Sequence, residues 1–425
     1  MSRGTSWRTP AVVLFCGGLI LMLALGTRQS FGLFLRPMSI DLGCGREVFS
    51  FAIALQNLVW GLGMPVAGAI ADRYGAGRVL TLGGLAYGLG LVAMAHSKTP
   101  LDLDVTTGLL IGLGLACTGF GVVLSVVARA FPPERRSFAV GLTGACGSIG
   151  QFVMLPGGQA LISGFGWVNA LIVLGAIAFL IIPLGAALAG RNRAAQESEQ
   201  SIGEALGEAM RHRGFWLLTG SFFVCGFQTI FVMTHLPAYA VDRGLTPTQG
   251  MTALATIGFF NIIGSYSAGA LGGRYSKKWL LAWLYAVRAV AIAIYLATPL
   301  SVAGTYLFAA VLGLTWLATV PLTNSLVGQI FGVKYLSTLF SLAFLGHQLG
   351  AFIGAWAGGA IFDVTGSYQL IWLASIVTAA RRASCVFRER ARSDAEKTRY
   401  LTGSRDARPS LPDGAGRLTL DTLTS

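Results

Sequence analysis

Long apolar segments separated by short polar and charged turns run through most of the chain. Most of them approach the ~20 residues that an α-helix needs to cross the hydrocarbon core of a bilayer. The pattern therefore predicts about twelve membrane-spanning helices. The predicted spans are 10–35, 48–71, 79–96, 105–128, 137–165, 167–189, 215–241, 251–272, 279–300, 302–329, 337–362 and 368–380.

A charged turn follows the second predicted span and reads Gly68-Ala-Ile-Ala-Asp-Arg-Tyr-Gly-Ala-Gly-Arg78. A degraded copy, Gly269-Ala-Leu-Gly-Gly-Arg-Tyr-Ser-Lys-Lys278, occurs in the same setting 201 positions later (269 − 68). Repetition of one turn at corresponding places indicates a membrane body built from two homologous halves.

The repeat and the polar middle segment predict four parts of the chain: a six-helix bundle over 1–189, a cytoplasmic linker over 190–214, a second six-helix bundle over 215–387, and a disordered basic tail over 388–425. Within the linker, apolar residues recur at helical spacing, which predicts a helix lying along the bilayer face. These residues are Ile202, Ala205, Leu206, Ala209 and Met210.

Composition agrees with a membrane location. Hydrophobic residues make up 54% of the chain and charged residues 12%, whereas soluble domains average about 25% charged residues. The net charge of +13 does not indicate nucleic-acid binding, because lysine and arginine are distributed by the predicted topology, mostly in the segments on one side of the membrane, and form no patch. Their sidedness predicts that both termini are cytoplasmic, in the cell inner (plasma) membrane. The six cysteines indicate neither a disulfide framework nor a metal site.

The turn Gly68-x-x-Ala-Asp-Arg-x-Gly75, with Arg78 after it, resembles the loop motif of the major facilitator superfamily. The resemblance implies an all-α membrane protein with the 12-helix major facilitator fold, in which two pseudo-symmetric six-helix bundles rock in alternating access. It also implies a conformational latch formed by Gly68, Asp72, Arg73, Gly75 and Arg78. The second copy has Gly273 in place of Asp72, so the latch is expected in the first half only. The alternative is a tight, positive-inside turn without a latch.

A second resemblance narrows the family. Residues at the start of the fifth span are similar to those of monocarboxylate porters and oxalate/formate antiporters: Phe131, Arg135, Arg136, Ala139, Gly141, Gly147 and Gly150. This resemblance implies transport of a small organic anion. In monocarboxylate porters the eighth helix carries an Asp and an Arg four residues on, where this chain has Asn261 and Ser265. Coupling would then use a histidine, the carboxyl proton of the substrate, or anion exchange.

Two arginines lie inside predicted spans, whereas every acidic residue lies in a loop, the linker, the tail or at a span end. Arginine stays charged, so burying it without an acidic partner is costly unless it reaches the interface, bonds carbonyl groups or binds an anion. For Arg28 we expect contact with a substrate carboxylate, with snorkelling to the interface as the alternative. Arg288 lies on a peripheral helix of the implied fold, and backbone carbonyls are its expected partners.

Other polar residues in the spans predict a substrate-binding lining around Arg28, although some of them could serve only to join helices. These are Gln29, Gln56, Asn57, Gln151, Gln228, His235, Asn261, Asn324 and His347. Either histidine could bond a carboxylate or take up a proton near neutral pH. We expect a small organic anion as partner, together with protons and membrane lipid, and a monomeric protein.

The sequence lacks the motifs of several function classes. The chain has no Gly-x-x-x-x-Gly-Lys-Ser/Thr phosphate loop and no His-Glu-x-x-His motif or paired acids in its spans. No ATP-driven pump, enzyme, metal site or cofactor is therefore predicted. The sequence predicts a secondary active transporter, symporter or antiporter, for a mono- or dicarboxylate, and the alternative is an efflux porter for amphiphilic drugs or metabolites.

The last predicted span is unusually short. From Tyr368, about thirteen residues precede Arg381 and Arg382, well below the ~20 of a full crossing. One interpretation is a short inner end whose arginines snorkel to the headgroups. The other is a change of reading frame near Val377, which would account for the abrupt shift to an arginine-rich composition.

Overall fold

The computed structural model describes residues 9–188, 202–331 and 336–384, and this part of the chain consists of helices joined by short turns. Ten of its helical segments are long and apolar enough to cross a membrane. They are Pro10–Leu33, Arg46–Ala71, Ala76–Met94, Pro100–Ala130, Phe138–Ala187, Arg213–Asp242, Pro247–Gly272, Lys277–Ala297, Val302–Ile330 and Leu339–Thr365.

The predicted twelve spans emerge from these segments. Phe138–Ala187 is bent at Gly166, which has a φ of +77° that glycine adopts readily. The segment therefore contains both the fifth span (138–165) and the sixth span (167–187). A last helix, 369–384, is the twelfth span. The predicted all-α, twelve-helix class is confirmed, and spans are numbered below from first to twelfth. The helix continues beyond the predicted end of the twelfth span at residue 380, through Arg381 and Arg382.

The 201-residue repeat is visible in matching contacts. In the third span, the hydroxyl of Tyr87 donates to the carbonyl of Ala24 on the first span, at 2.8 Å. In the ninth span, Nη1 of Arg288 donates to Sγ of Cys225 on the seventh span, at 3.3 Å. Both pairs of positions differ by 201 (288 − 87 and 225 − 24), so the two halves place equivalent residues in equivalent contacts.

The seventh and eleventh spans pack backbone to backbone along a glycine stripe with a period of four. A Cβ added at any of these glycines would collide with the seventh span, at Thr219, Phe223, Phe227 or the ring of His235. Small residues allow helix axes to approach this closely in membranes. The stripe is Gly346, Gly350, Gly354 and Gly358.

The two ends of the molecule differ in how the halves meet. We call the end with residues 35–46 and 363–368 the outer end, and the end with the turn 72–78 and the helix Ile202–Arg211 the inner end. One hydrophobic cluster joins the first half to the outer part of the second half. A separate cluster, which includes Phe215, Leu281 and Leu322, belongs to the second half alone and lies at the inner end. The hydrophobic core therefore unites the halves at the outer end.

The predicted linker is helical over Ile202–Arg211, where Ala209 is buried against the second half. The rest of the linker before residue 202 and the predicted tail 388–425 lie outside the described residues. The four-part division of the chain therefore stays a prediction. The choice between a snorkelling inner end and a frame change is likewise a prediction that the helix 369–384 does not test.

Candidate functional site

Arg28 is buried near the end of the first helix, where 3% of its surface is exposed. Nη2 donates to Oδ1 of Asn57, and Nη1 lies 3.8 Å from Sδ of Met233 across the interface between the halves. The guanidinium carbon lies 4.8 Å from the ring centroid of Trp60. Among the described residues, no carboxylate comes within 4.0 Å of this guanidinium. The arginine thus keeps its positive charge without a counter-ion.

Three buried nitrogen donors in this region have no hydrogen-bond acceptor: Nε of Arg28, Nε1 of Trp60 and Nε2 of Gln348. Arg28 lies over the ring of Trp60, and Gln348 packs against Gly61, the next residue of the second span. Unpaired buried donors are costly and uncommon. An acceptor-only group such as a carboxylate is the chemical complement of a cation and neutral N–H donors.

Most of the predicted amides already join helices. Gln56 donates to the carbonyl of Thr107 at 3.1 Å, and Gln228 donates to the carbonyl of Ser375 at 2.8 Å. Gln151 reaches the carbonyl of Leu254 at 3.4 Å, and Asn261 reaches Ser148 at 3.3 Å, which links the fifth and eighth spans across the halves. The side-chain oxygens of the three glutamines have no partner in this state. Of the predicted lining, Asn57 directly contacts Arg28.

The remaining predicted site residues lie in different surroundings. Gln29 follows Arg28, and its buried Oε1 is unpaired. The ring of His347 stacks on Phe344 at a centroid distance of 5.5 Å. Asn324 is half-buried on the tenth span, and His235 is buried near the outer end. The structure therefore does not collect all ten predicted residues into one site.

Arg288 is fully buried and held by its own half. Its guanidinium donates to the carbonyl of Thr315, to the carbonyl of Trp316 at 2.8 Å, and to Sγ of Cys225. These carbonyls lie where the tenth span is interrupted, between the helices Val302–Thr315 and Thr319–Phe331. The predicted role of backbone carbonyls as partners of Arg288 is confirmed. Arg288 satisfies the acceptors that the break exposes.

The predicted inner-end latch is only partly described. Gly75 ends its helix with φ of +98°, which explains the glycine, while a Cβ at Gly68 would meet open space. Arg73 lies 5.4 Å from the ring of its neighbour Tyr74, and Arg78 is exposed. The side chain of Asp72 lies outside the described set, so the latch stays a prediction.

An ion-pair network closes the outer end, and the sequence patterns did not reveal it. Arg46, the first residue of the second span, makes a two-pronged contact with Asp242 of the seventh span, at 2.5 and 2.9 Å. Its Nη1 also donates to the hydroxyl of Tyr368 at 2.9 Å, and its guanidinium lies 3.9 Å from the ring centroid of Phe362. Arg36 reaches the same carboxylate of Asp242 at 3.8 Å.

The eleventh span adds a helix cap to this network. The carboxylate of Asp363 accepts hydrogen bonds from the backbone N–H groups of Arg46 and Glu47, at 3.0 and 2.7 Å. A carboxylate is favoured at a helix N-terminus by the free N–H groups and by the helix dipole. Glu47 in turn accepts from the indole N–H of Trp356 at 2.8 Å. We refer to Arg46, Asp242, Asp363 and Tyr368 as the outer latch.

Comparisons with known proteins agree with this architecture. The sequence model of the Major Facilitator Superfamily matches residues 14–355. An uncharacterised MFS-type transporter of Escherichia coli (strain K12), YhjX, is 26% identical over 357 residues, which cover 82% of this chain and 86% of the relative. Monocarboxylate transporter 13 of Bos taurus is 25% identical over 370 residues, covering 86% and 84%.

A solved structure shares the fold. It is that of a bacterial homolog of the human lysosomal transporter Spinster, in an inward-facing and occupied conformation. The TM-score is 0.70 at 15% sequence identity, with 90% of this chain and 97% of the other covered. This is a likeness of architecture across nearly the whole described body.

Proposed function

The chain belongs to the Major Facilitator Superfamily, and on that premise we propose that it is a secondary active transporter that carries a small organic anion by alternating access. The observation that carries this proposal is Arg28, a buried cation without a carboxylate partner in the described chain. A bound carboxylate would supply the missing counter-charge and accept from the unpaired Nε. The cell inner membrane is the proposed location, with both termini cytoplasmic.

The geometry supports a defined cycle. In the present state, the outer latch and the hydrophobic cluster shared by the halves close the outer end above Arg28. In the proposed orientation, the closed end faces away from the cytoplasm. Release of the latch and closure of the inner end would expose the same Arg28 to the other side, because a transporter of this kind rocks two halves around a fixed site.

The structure also contains an aromatic row that suits the alternative, an efflux porter for amphiphilic compounds. The ring of Trp60 lies 5.5 Å from Phe344, which stacks on His347, and Phe222 packs edge-on against both. Such a surface binds apolar bodies without strong selectivity. The unpaired Arg28 favours the anion, since a neutral or cationic drug would leave its charge uncompensated.

A ligand panel tests the proposal. Purified protein in detergent is heated with mono- and dicarboxylates, amino acids, sugars and cationic drugs, and the thermal midpoint is recorded. Because a ligand that binds the folded state stabilises it by mass action, a carboxylate at about 100 times its Kd should add about 2.7 kcal/mol. Stabilisation by cationic drugs alone would reject the anion proposal in favour of efflux. Uptake of the stabilising carboxylate into proteoliposomes would then establish transport.

A further inference from the structure

A buried histidine is connected to the outer latch by hydrogen-bond contacts. Nδ1 of His235, on the seventh span, lies 3.1 Å from the hydroxyl of Tyr368. The same hydroxyl lies 2.9 Å from Nη1 of Arg46, which binds Asp242. A continuous chain of side-chain contacts therefore runs from the buried seventh span to the ion pair that holds the halves together.

The hydrogen bonds define the protonation of this histidine in the closed state. Nε2 lies 2.8 Å from the carbonyl oxygen of Ala355, and a carbonyl can only accept, so Nε2 carries the hydrogen. The hydroxyl oxygen of Tyr368 accepts from Arg46, which leaves its proton free to be donated to Nδ1 of His235. A neutral imidazole thus satisfies every one of these contacts.

We propose that His235 is the proton-coupling residue of this transporter and that protonation of its Nδ1 releases the outer latch. The proton forms an N–H bond with the Nδ1 lone pair and displaces the hydrogen bond that Tyr368 donated, while Tyr368 keeps its own O–H bond. The phenol oxygen would then face two cationic donors, His235 and Arg46. The proposal rests on the alternating access proposed above but not on the identity of the substrate.

While the latch is closed, the groups that face His235 provide no negative charge that would stabilise a protonated imidazole. The second span presents the hydroxyl of Ser50 at 3.5 Å, the eleventh span presents the Ala355 carbonyl and Gly358, and its own span presents the ring of Phe231. Of the charged and titratable groups in the described chain, Tyr368 contacts the imidazole and Arg46 lies beyond it. Asp242 and Asp363 bind Arg46 from its other sides and are occupied there.

Proton binding and outer opening must therefore favour each other, because linkage is reciprocal. His235 takes up a proton when the latch is open to the outside. Closure of the latch places Arg46 against Tyr368 again and expels the proton while the site faces inward. One device thus couples the proton gradient to the conformational cycle.

Distance measurements between spin labels test this without any substrate. Ile40 and Val364 are exposed, at 65% and 86%, and lie at the outer ends of opposite halves. Both are changed to cysteine in a cysteine-free background, labelled and reconstituted in nanodiscs, and the distance distribution is recorded between about pH 5 and about pH 8. We expect a longer-distance population that grows as the pH falls, by at most about tenfold per pH unit for one proton.

Matched variants give the expected pattern. His235→Gln should abolish the pH response, and Arg46→Gln should populate the longer distance at every pH. His96→Gln changes an exposed histidine whose Nδ1 lies 2.9 Å from the carbonyl of Val92 in the preceding helix, and it should respond like the parent. Tyr368→Phe provides a second break in the chain if His235→Gln does not fold, and it should also lose the pH response.

Each failure has its own meaning. A parental pH response in His235→Gln or in Tyr368→Phe, or a parent insensitive to pH, would overturn the coupling proposal. Absence of a longer distance even in Arg46→Gln would overturn the outer latch and with it the rocking cycle of the proposed function. A ligand panel without carboxylate binding would remove the anion proposal and leave this measurement unaffected.

Discussion

Replacement of Arg28 by alanine is expected to lower carboxylate uptake by about 100-fold, because truncating one partner of a buried charged contact costs about 2–5 kcal/mol or more. Arg28→Lys should recover little of the loss, since a single ammonium group cannot present the planar pair of donors that a guanidinium offers. The measurement is initial uptake of the carboxylate identified by the thermal panel, into proteoliposomes with equal amounts of protein.

The fold should survive this change. Arg28 donates to Asn57 and touches Met233, but removing an uncompensated buried cation also removes its desolvation cost. We therefore expect the thermal midpoint of Arg28→Ala to equal or exceed that of the parent. Arg243→Ala, which removes an exposed outer arginine near Tyr239, is the matched control and should transport normally. Parental uptake by Arg28→Ala would identify Arg28 as an anchor only and would favour drug efflux.

Replacement of Arg288 by methionine is expected to reduce stability strongly while leaving substrate affinity unchanged in the protein that folds. The change removes charged hydrogen bonds to the carbonyls of Thr315 and Trp316, each worth about 1.5–3 kcal/mol. The buried break in the tenth span would then have unpaired acceptors. The loss should be about 3 kcal/mol or more, measured by thermal or denaturant unfolding in detergent.

The repeat supplies a matched control for this experiment. Tyr87 occupies the position of Arg288 in the first half, and its hydroxyl donates to the carbonyl of Ala24. Tyr87→Phe should therefore cost only about 1 kcal/mol. If Arg288→Met were as stable as the parent but had lost uptake, Arg288 would act on the substrate and its structural role would be refuted.

Much of the fold follows from local pattern. The lengths of apolar runs determine the spans, and the repeated turn correctly indicates the 201-residue relation that pairs Tyr87 with Arg288. The carbonyl partners of Arg288 could be predicted because a buried cation lacking acids has few other acceptors. These features depend on the composition of one span, or on how a single residue behaves in the apolar interior of the membrane.

The outer latch could not be predicted in the same way. Arg46 and Asp242 are 196 positions apart, and Arg46 and Asp363 are 317 apart. From the sequence each is an ordinary charge at the end of a span, and nothing in its neighbourhood specifies a partner. The sequence also did not determine what Gln56 and Gln228 bind, because an amide within a span can form hydrogen bonds with a ligand or with a neighbouring helix equally well. Pairing across halves requires the three-dimensional register.

The isolated charge of Arg28 also has an electrical consequence. Moving one elementary charge through the full voltage across a membrane involves about 2.3 kcal/mol per 100 mV. An empty carrier with Arg28 uncompensated is sensitive to this voltage, and a monovalent anion alone would make the loaded carrier neutral. A proton travelling with the anion restores the single positive charge. The loaded carrier and the empty carrier then have the same charge and move in opposite directions through the membrane voltage. The electrical work of the two steps cancels, so that over a complete cycle the voltage does no net work.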